Sequence, residues 1–387
     1  MSTLTNSFLL VCVWAVIILV NCELSNSKHV GIFVFGDSLY DPGNLNNLNI
    51  SIDEKANYWP YGETFFNFST GRFCDGLINP DFIAMKVNIP LWKPYLEPGT
   101  QNFTHGANFA AGGAGVLPQS NAGATISLML QMSFFEEVVS QLKKEVGEEE
   151  AQNILMKSIY LSSIGGNDYN YYVTNNPNTT LSEGQEFVQL VIGNLTQVIK
   201  EIYEMGGRKF AFQNVGPMGC LPFIRVTYGL SDEECLEELM ELSRLHNKLL
   251  LKAAKELETD LPGFKYSIFD YYSSLYDIIK HPTQYGFQFA ATPCCGAGSA
   301  HCGIEPYELC SNTSEYVYFD NAHPTQALNM LLSNLMWDGD STFTTPYNFK
   351  QLFELEVNMS NFSSDYHLKS VTKHEEDSIN GFTLAEM

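Results

Sequence analysis

The chain has 387 residues, 45% of them hydrophobic, so it is long enough to bury a large core. Its 44 acidic and 21 basic residues give a formal net charge of −23, which argues against binding nucleic acid and against docking on anionic membranes. No linker-like change of composition occurs before about residue 355, and we therefore expect residues 23–355 to form one domain.

The first 22 residues have the features of a secretory signal peptide. The apolar run at 8–20 is too short to cross a bilayer comfortably, and Cys22 is a plausible end of the segment. No Lys or Arg precedes the run, so a membrane anchor is the alternative interpretation. Glycosylation sequons of the form Asn-x-Ser/Thr support secretion. They begin at Asn49, Asn67, Asn102, Asn178, Asn194, Asn312, Asn358 and Asn361.

Cysteine usage agrees with an oxidising compartment. Apart from Cys12 and Cys22, the cysteines are Cys74, Cys220, Cys235, Cys294, Cys295, Cys302 and Cys310. We expect Cys220 and Cys235 to close a loop and the last four to form local bridges. Metal binding by the late cluster together with His301 is the alternative, but a paired Cys-x-x-Cys spacing is missing. Cys74 remains as an odd thiol.

Apolar runs and helical periodicity alternate along the chain. Short apolar runs that end in glycine or polar residues predict strands at 30–35, 158–164, 209–215 and 265–269. Periodicity of about 3.6 residues, together with capping residues, predicts helices at 127–146, 181–205, 231–258, 270–279 and 324–337. Residues 45–101 are expected to form long loops with short helical pieces, and 103–115 a glycine-rich passage from strand to loop. A short apolar piece follows at 316–319.

Strands that alternate with helices predict an α/β fold with a parallel sheet and helices on both faces. In such folds ligands bind at the carboxyl edge of the sheet. Ser38 follows the first predicted strand and is therefore expected at that edge. Two interpretations remain open from this stretch alone: Ser38 is a nucleophile, or it caps the next helix.

A serine nucleophile needs a base that removes its proton and a group that orients the base. His281 and His323 both precede proline and follow an aspartate, Asp277 and Asp320 respectively. Asp277 and His281 are explained by spacing along a helix, whereas Asp320 and His323 join a strand-like piece to a helix. His246 lies among charged residues of a predicted helix and is expected to be solvated.

Acyl transfer also needs hydrogen-bond donors for the oxyanion that develops on the substrate. Three positions at predicted sheet-edge turns qualify: the Ser38 amide, an amide within Gly112-Gly113, and Asn167 after Gly165-Gly166. Each also has an ordinary explanation, because glycine and asparagine are common in turns.

Four blocks, taken together, resemble those of the plant GDSL esterase/lipases of the SGNH hydrolase superfamily. They are Phe-Gly-Asp-Ser-Leu-Tyr-Asp-Pro-Gly-Asn at 35–44, Asn-Phe-Ala-Ala-Gly-Gly-Ala-Gly at 108–115, Gly-Gly-Asn-Asp at 165–168 and Asp-Asn-Ala-His-Pro-Thr at 320–325. Residues 214–220 and 294–296 also look like landmarks of this family. The resemblance covers about residues 30–355.

The resemblance implies a three-layer α/β/α, flavodoxin-like SGNH hydrolase fold with a central parallel sheet. It implies that Ser38 is the nucleophile, that His323 is the general base and then acid, and that Asp320 orients His323. It further implies an oxyanion hole formed by the Ser38 amide, Gly113 and Asn167, with Gly113 preferred to Gly112.

The chain departs from the pattern of the family in three places. Cys74 stands where small polar residues are frequent, and we expect it to be buried and inert. Gln326 replaces a usual Glu and changes the charge near His323. Residues 356–387 extend beyond the usual end; their polar composition predicts disorder, and their short apolar ending is similar to plant vacuolar-sorting propeptides.

The sequence therefore predicts a secreted serine hydrolase acting on carboxylic esters, either small molecules or lipids, with the vacuole as an alternative destination. We expect no metal and no organic cofactor, no nucleic-acid partner, no stable membrane insertion, and a monomer. An acyltransferase that passes the same acyl group to an alcohol is one alternative. A non-catalytic secreted binding or defence-associated protein on the same fold is another.

Overall fold

The structure is a computed structural model that describes residues 30–99, 102–177, 179–298 and 300–357. The predicted signal peptide, the sequons at Asn178, Asn358 and Asn361, and residues 358–387 of the predicted tail lie outside the described residues.

A six-stranded sheet forms the centre of the described part of the chain. Its strands are β1 (Ile32–Gly36), β2 (Gly106–Asn108), β3 (Ile159–Ser163), β4 (Lys209–Gln213), β5 (Lys265–Phe269) and β6 (Thr344–Pro346). Their order across the sheet is β2-β1-β3-β4-β5-β6, and the first five run parallel. The short strand β6 pairs antiparallel with β5, a feature that the sequence did not predict.

Helices cover both faces of the sheet. They are α1 (Asn79–Lys86), α2 (Leu128–Val146), α3 (Glu148–Lys157), α4 (Gly166–Asn175), α5 (Leu181–Glu204), α6 (Pro222–Tyr228), α7 (Glu237–Asp260), α8 (Tyr271–Lys280), α9 (Gln326–Asp338) and α10 (Phe349–Glu354). Helix α9 packs against α1 and α10, whereas α5 packs against α7 and α2 against α3. The fold is therefore α/β with a mostly parallel central sheet, as predicted.

Aromatic rings fill the space between the sheet and the helix α2. Phe33 on β1 stacks on Tyr160 of β3, which in turn stacks on Phe210 of β4, with ring centroids 5.6 Å and 5.3 Å apart. Phe135 of α2 meets Phe33 and Tyr160 edge to face. Each of these side chains is at least 98% buried, and burial of a side chain of this size contributes about 1.5–3 kcal/mol. The sheet that positions the site therefore rests on a rigid aromatic layer.

The opposite face of the sheet carries a buried lysine at the first residue of β4. The Lys209 ammonium group donates hydrogen bonds to the carbonyl oxygens of Phe353 and Leu355, at 3.3 Å and 3.4 Å. A buried ammonium needs such acceptors, because an unpaired buried charge is costly. The last described turn of the chain is thus fixed to the amino-terminal edge of the sheet.

The start of α7 differs from the prediction. The helix begins at Glu237, although a capping pattern predicted a start at Ser231, and Ser231 does bond Glu234 as such a pattern requires. Cys235 forms a disulfide with Cys220, and the Leu236 amide donates to the Gly219 carbonyl oxygen, 2.9 Å away. These two links hold the chain in an extended form, so the capped turn precedes the helix.

His246 corrects another prediction, since it is 1% exposed rather than solvated. It lies on the buried stripe of α7, four residues after Leu242 and four before Leu250, and its Nδ1 lies 2.6 Å from the hydroxyl of Tyr169. Burial lowers the pKa of His246 to about 3, so the imidazole is neutral at ordinary pH.

Among the described residues, three disulfides join the pairs Cys220–Cys235, Cys294–Cys310 and Cys295–Cys302. The expected loop closure and local bridges are therefore confirmed, and the late cysteines are used up in bonds to each other. Cys74 is a buried free thiol whose pKa burial raises well above its usual range. Within the described ranges, no helix has the length and apolar character needed to cross a bilayer.

Candidate active site

The turn after β1 presents Ser38 at the carboxyl edge of the sheet. The Asp37 amide donates to the Ser163 carbonyl oxygen of β3, and the Tyr40 amide donates to the Asp37 carbonyl oxygen. The Leu39 amide donates to the Asp37 side chain, 3.1 Å away. This tight turn leaves the Ser38 amide without an acceptor among the described residues, and it leaves the hydroxyl facing the cavity.

His323 and Asp320 lie on a turn that precedes α9. Asp320 Oδ1 accepts hydrogen bonds from the amides of Ala322 and His323, each at 2.8 Å. His323 Nδ1 lies 2.8 Å from both carboxylate oxygens of Asp320. The backbone of the turn therefore holds the Asp320 carboxylate in place, and the carboxylate in turn orients the His323 imidazole ring.

The structure brings Ser38 and His323 together although 285 residues separate them in sequence. His323 Nε2 lies 2.7 Å from Ser38 Oγ, which is hydrogen-bond distance. Hydroxyl, imidazole and carboxylate thus form one continuous series in the order that serine nucleophile activation requires.

The amides of Gly112 and Gly113 have different partners. The Gly112 amide donates to Asp41 Oδ2 at 2.9 Å, whereas the Gly113 amide has no acceptor among the described residues. Gly113 adopts φ +72°, a conformation that glycine reaches without strain, and it lines the cavity beside Ser38. Of the two glycines, Gly113 is therefore the one whose amide is available to an oxyanion.

Asn167 lies at the start of α4, next to the Gly113 loop. Its Nδ2 donates one hydrogen bond to the Ala114 carbonyl oxygen at 3.0 Å, so the second amide hydrogen remains for another acceptor. The neighbouring Asp168 accepts bonds from the amides of Val116 and Leu117, at 2.8 Å and 3.0 Å. These bonds fix the position of Asn167 relative to the loop that carries Gly113.

Burial and local charges set the ionisation of two carboxyl groups. Burial alone would raise the pKa of Asp320, but the His323 charge and the hydrogen bonds that Asp320 accepts lower it below its ordinary value. Asp37 has fewer donors, so burial raises its pKa to about 7, although the Leu39 amide and the His323 charge oppose this shift. Asp320 is therefore the carboxylate that remains charged beside His323.

The site opens into a cavity of about 370 Å³. Beyond Ser38 and His323, the cavity has an apolar wall over the ends of β3, β4 and β5, formed by Ile164, Val215, Pro217, Met218, Leu221 and Leu275. Gly113 and Asn167 lie along the same cavity, so the nucleophile candidate and the donor candidates face one space. Such a cavity has the size and lining of a small-molecule site.

The other candidate residues lie away from this cavity or take other partners. His281 pairs with Asp277 at 2.9 Å on α8, and both side chains are about half exposed. The Gln326 side chain accepts a hydrogen bond from the Leu77 amide at 2.7 Å, so it ties α9 to the loop before α1. Cys74 is buried within contact distance of Asn329.

The sequence did not single out two aromatic residues that contact His323 and Asp320. The Tyr61 hydroxyl donates to Asp320 Oδ2 at 2.8 Å. The Phe73 ring packs on the His323 imidazole, with centroids 4.8 Å apart. Tyr61 lies 259 residues before Asp320, so only the three-dimensional structure relates the two.

A sequence profile of the GDSL-like Lipase/Acylhydrolase family matches residues 32–336. The chain belongs to this family. The "GDSL lipase" of Tanacetum cinerariifolium is 43% identical over 338 residues, which are 86% of this chain and 90% of that protein. "GDSL esterase/lipase 1" of Arabidopsis thaliana is 39% identical over 351 residues, 87% of this chain and 94% of that protein.

The GDSL family also contains a relative whose name describes it as inactive. "Inactive GDSL esterase/lipase-like protein 25" of Arabidopsis thaliana is 37% identical over 332 residues, 85% of this chain and 76% of that protein. Overall similarity therefore does not separate active from inactive relatives. The function of this chain has to be argued from the geometry of its own site.

Proposed function

We propose that this GDSL protein is a serine hydrolase of carboxylic esters, acting on small-molecule or lipid esters through an acyl-enzyme. The observation that carries the proposal is the continuous series from Ser38 Oγ through the His323 ring to Asp320, with contacts of 2.7 Å and 2.8 Å. The family profile supports the same reaction class.

In the first step Ser38 Oγ attacks the ester carbonyl carbon while His323 Nε2 takes the hydroxyl proton. The carbonyl oxygen becomes an oxyanion, which accepts hydrogen bonds from the amides of Ser38 and Gly113 and from Asn167 Nδ2. His323 then donates its proton to the leaving alkoxide, and the alcohol departs. Asp320 orients the imidazole and stabilises the imidazolium throughout.

In the second step water attacks the acyl group on Ser38, and His323 Nε2 takes a proton from that water. The tetrahedral intermediate uses the same donors, and His323 returns the proton to Ser38 Oγ as the acid leaves. An alcohol in the place of water gives acyl transfer instead of hydrolysis. Mass spectrometry of the products with an alcohol present distinguishes these two outcomes.

We propose that the protein is secreted. Three disulfides support an oxidising compartment, and the described sequon residues Asn49, Asn67, Asn102 and Asn312 are exposed. Asn194 is half-buried on α5, with its Nδ2 bonded to the Leu190 carbonyl oxygen, so we expect it to be glycosylated least. Glycopeptide mapping of the secreted protein measures what fraction of each asparagine is glycosylated.

Ser38→Ala tests the proposed reaction directly. We expect the variant to lose at least about a thousandfold in kcat on a short p-nitrophenyl ester, because the nucleophile is gone, while its circular dichroism spectrum and melting temperature stay close to those of the wild type. A fluorophosphonate probe should label the wild type at Ser38 and leave the variant unlabelled.

Undiminished turnover by Ser38→Ala would overturn the proposal. So would a wild-type protein that neither turns over a broad panel of esters nor reacts with the probe, since it would resemble a non-catalytic member of the family. A matched control is Ser267→Ala, which removes a buried hydroxyl bonded to the Tyr347 carbonyl oxygen on β5, outside the cavity lining, and should retain activity.

A further inference from the structure

The Asp320 carboxylate is held from two directions. Its own turn supplies the Ala322 and His323 amides, and both of these bond Oδ1. Oδ2 accepts the hydroxyl hydrogen of Tyr61 at 2.8 Å. Among the described residues, Tyr61 is the one donor to Asp320 that lies outside the turn 320–323.

Tyr61 is enclosed by other aromatic rings. It is 5% exposed, and its ring meets Phe319 and Phe73 edge to face at centroid distances of 5.5 Å and 6.2 Å. Phe73 also packs on the His323 imidazole. One segment of the chain, 61–73, therefore contacts both members of the imidazole–carboxylate pair.

The segment 61–73 is itself anchored to the core. Arg72 makes a two-pronged ion pair with Asp81 of α1 at 2.7 Å and 2.8 Å, and it donates to the Trp92 carbonyl oxygen at 2.8 Å. Both side chains of the pair are at least 96% buried. The Gly62 amide donates to the carbonyl oxygen of Cys74, the residue that follows the segment, at 2.9 Å, and this bond holds the two ends of the segment together. The Tyr61 hydroxyl is thus presented from a fixed support.

We propose that Tyr61 is a positioning residue of the hydrolytic site: its hydroxyl holds Asp320 Oδ2 so that the carboxylate stays ionised and correctly oriented against His323 Nδ1. A buried carboxylate oxygen that loses a donor carries an uncompensated desolvation cost. Without the hydroxyl, Oδ2 keeps only the His323 Nδ1 contact among the described residues, so the carboxylate is less firmly oriented and takes up a proton more readily, and either change disturbs the base. This inference rests on the proposed ester hydrolysis.

The ionisable groups around the carboxylate determine the direction of the expected pH effect. They are His323 on the same turn, Tyr61 and Tyr58 from the neighbouring segment, Asp37 facing His323, and Asp53 facing Tyr58. The active form of the pair has Asp320 ionised and His323 neutral. Removing a donor from the carboxylate favours the form that carries one more proton, whichever of the two residues holds it. The acid limb of activity must then move to higher pH.

The test is Tyr61→Phe, which removes one oxygen and keeps the ring in its aromatic surroundings. We expect kcat to fall about tenfold with little change in KM, and the midpoint of the acid limb of kcat/KM to rise by about 0.5–1 pH unit. Rates are followed by acid release at constant pH, so that the ionisation of a chromophore does not enter the profile.

The matched control is Tyr160→Phe. Tyr160 is equally buried and donates to the Leu155 carbonyl oxygen at 2.9 Å, but it lies in the aromatic layer under the sheet. We expect a comparable loss of thermal stability and an unchanged pH profile. Tyr61→3-fluorotyrosine keeps both ring and hydroxyl and makes the phenol a stronger donor, so it should move the acid limb to lower pH.

A double-mutant cycle separates positioning from a general structural effect. In an Asp320→Asn background, Tyr61→Phe should cause no further loss of kcat, because the group on which it acts is already gone. A wild-type kcat and pH profile in Tyr61→Phe, or an equal loss in both backgrounds, would refute the role of Tyr61. Ser38→Ala, measured alongside, reports separately on the proposed function: if it is inactive while Tyr61→Phe behaves as wild type, only the inference about Tyr61 fails.

Discussion

Asp37 is a carboxyl group buried next to the serine that we propose as nucleophile. Burial raises its pKa to about 7, whereas the ordinary value for aspartate is 3.8. Between these two values the native state binds the proton more tightly than the unfolded chain. The free energy of unfolding must then fall as the pH rises through this interval, because ionisation of Asp37 in the native state is unfavourable.

The variant Asp37→Asn tests this argument. It keeps an oxygen that can accept from the Leu39 amide but carries no charge. Relative to wild type, we expect it to gain about 2–4 kcal/mol in the free energy of unfolding between pH 4 and pH 8, with the full gain present above pH 7. Urea unfolding at both pH values measures the difference. A difference between the two proteins that does not change with pH would contradict the prediction. Asp41 and His246 titrate in both proteins, so their contributions to the pH dependence cancel in the difference between variant and wild type.

Residues of the site differ in how far sequence could predict them. Ser38, Asn167 and His323 lie in short blocks whose spacing relates each one to the end of a strand or the start of a helix, and the structure brings them to one cavity. Tyr61 belongs to a loop without periodicity, and its partner lies 259 residues away. The prediction for His246 is wrong because burial follows the helical period: its sequence neighbours are charged, but it lies four residues from both Leu242 and Leu250 on the buried face of α7.

At the scale of elements, a disulfide connects one wall of the cavity to a neighbouring segment of the chain. The bond between Cys220 and Cys235 joins the end of the loop after β4 to the segment before α7. Met218 and Leu221, on either side of Cys220, line the cavity. The helix α7 starts later than its sequence indicates because the disulfide and the hydrogen bond from the Leu236 amide to the Gly219 carbonyl oxygen hold the preceding residues against this loop.

Removal of that disulfide by Cys220→Ala together with Cys235→Ala should cost about 2–4 kcal/mol of stability. We also expect KM for an apolar ester to rise several-fold, with a smaller change in kcat, because the apolar wall loses its support. Thermal unfolding and steady-state kinetics measure the two effects.

The matched control is the pair Cys294→Ala and Cys310→Ala, which opens a loop of similar length outside the cavity wall. It should lose stability without the rise in KM. Equal KM changes in both variants would show that the Cys220–Cys235 bond has no special relation to the cavity.

The element order could be predicted because buried strands and amphipathic helices have different periods. The strand at 265–269 was placed correctly at both ends, since Asp270 caps the next helix. β6 was missed because it has three residues and ends in proline at the sheet edge. The helix at 324–337 was predicted with proline in its first turn, but it begins at Gln326 because Thr325 is its N-cap and bonds the Leu328 amide.

At the scale of the whole molecule, the negative charge extends into the cavity. Asp53 and Glu54 lie along it, and no lysine or arginine is among the described residues that line it. With a net charge of −23, the potential at the site should be negative. The protein should therefore prefer neutral or cationic esters to anionic ones.

We expect kcat/KM for an anionic ester to be about tenfold below that of a neutral ester with the same acyl group, and to increase with salt. Asp53→Asn together with Glu54→Gln should reduce this gap, which is the difference in kcat/KM between the neutral and the anionic ester. Glu148→Gln together with Glu149→Gln removes the same charge at the exposed start of α3 and should leave the gap almost unchanged. A gap that is insensitive to both salt and the first pair of changes would argue against charge selection.

Lys209, the first residue of β4, donates hydrogen bonds to the carbonyl oxygens of Phe353 and Leu355. Ser38, in contrast, lies just beyond the carboxyl end of β1. The two strands run parallel in one sheet, so Leu355 lies at the amino-terminal edge of the sheet and Ser38 at the opposite, carboxyl edge. A coupling group attached after Glu356 would consequently immobilise the protein on a solid support with the opening of the active-site cavity facing the bulk solution.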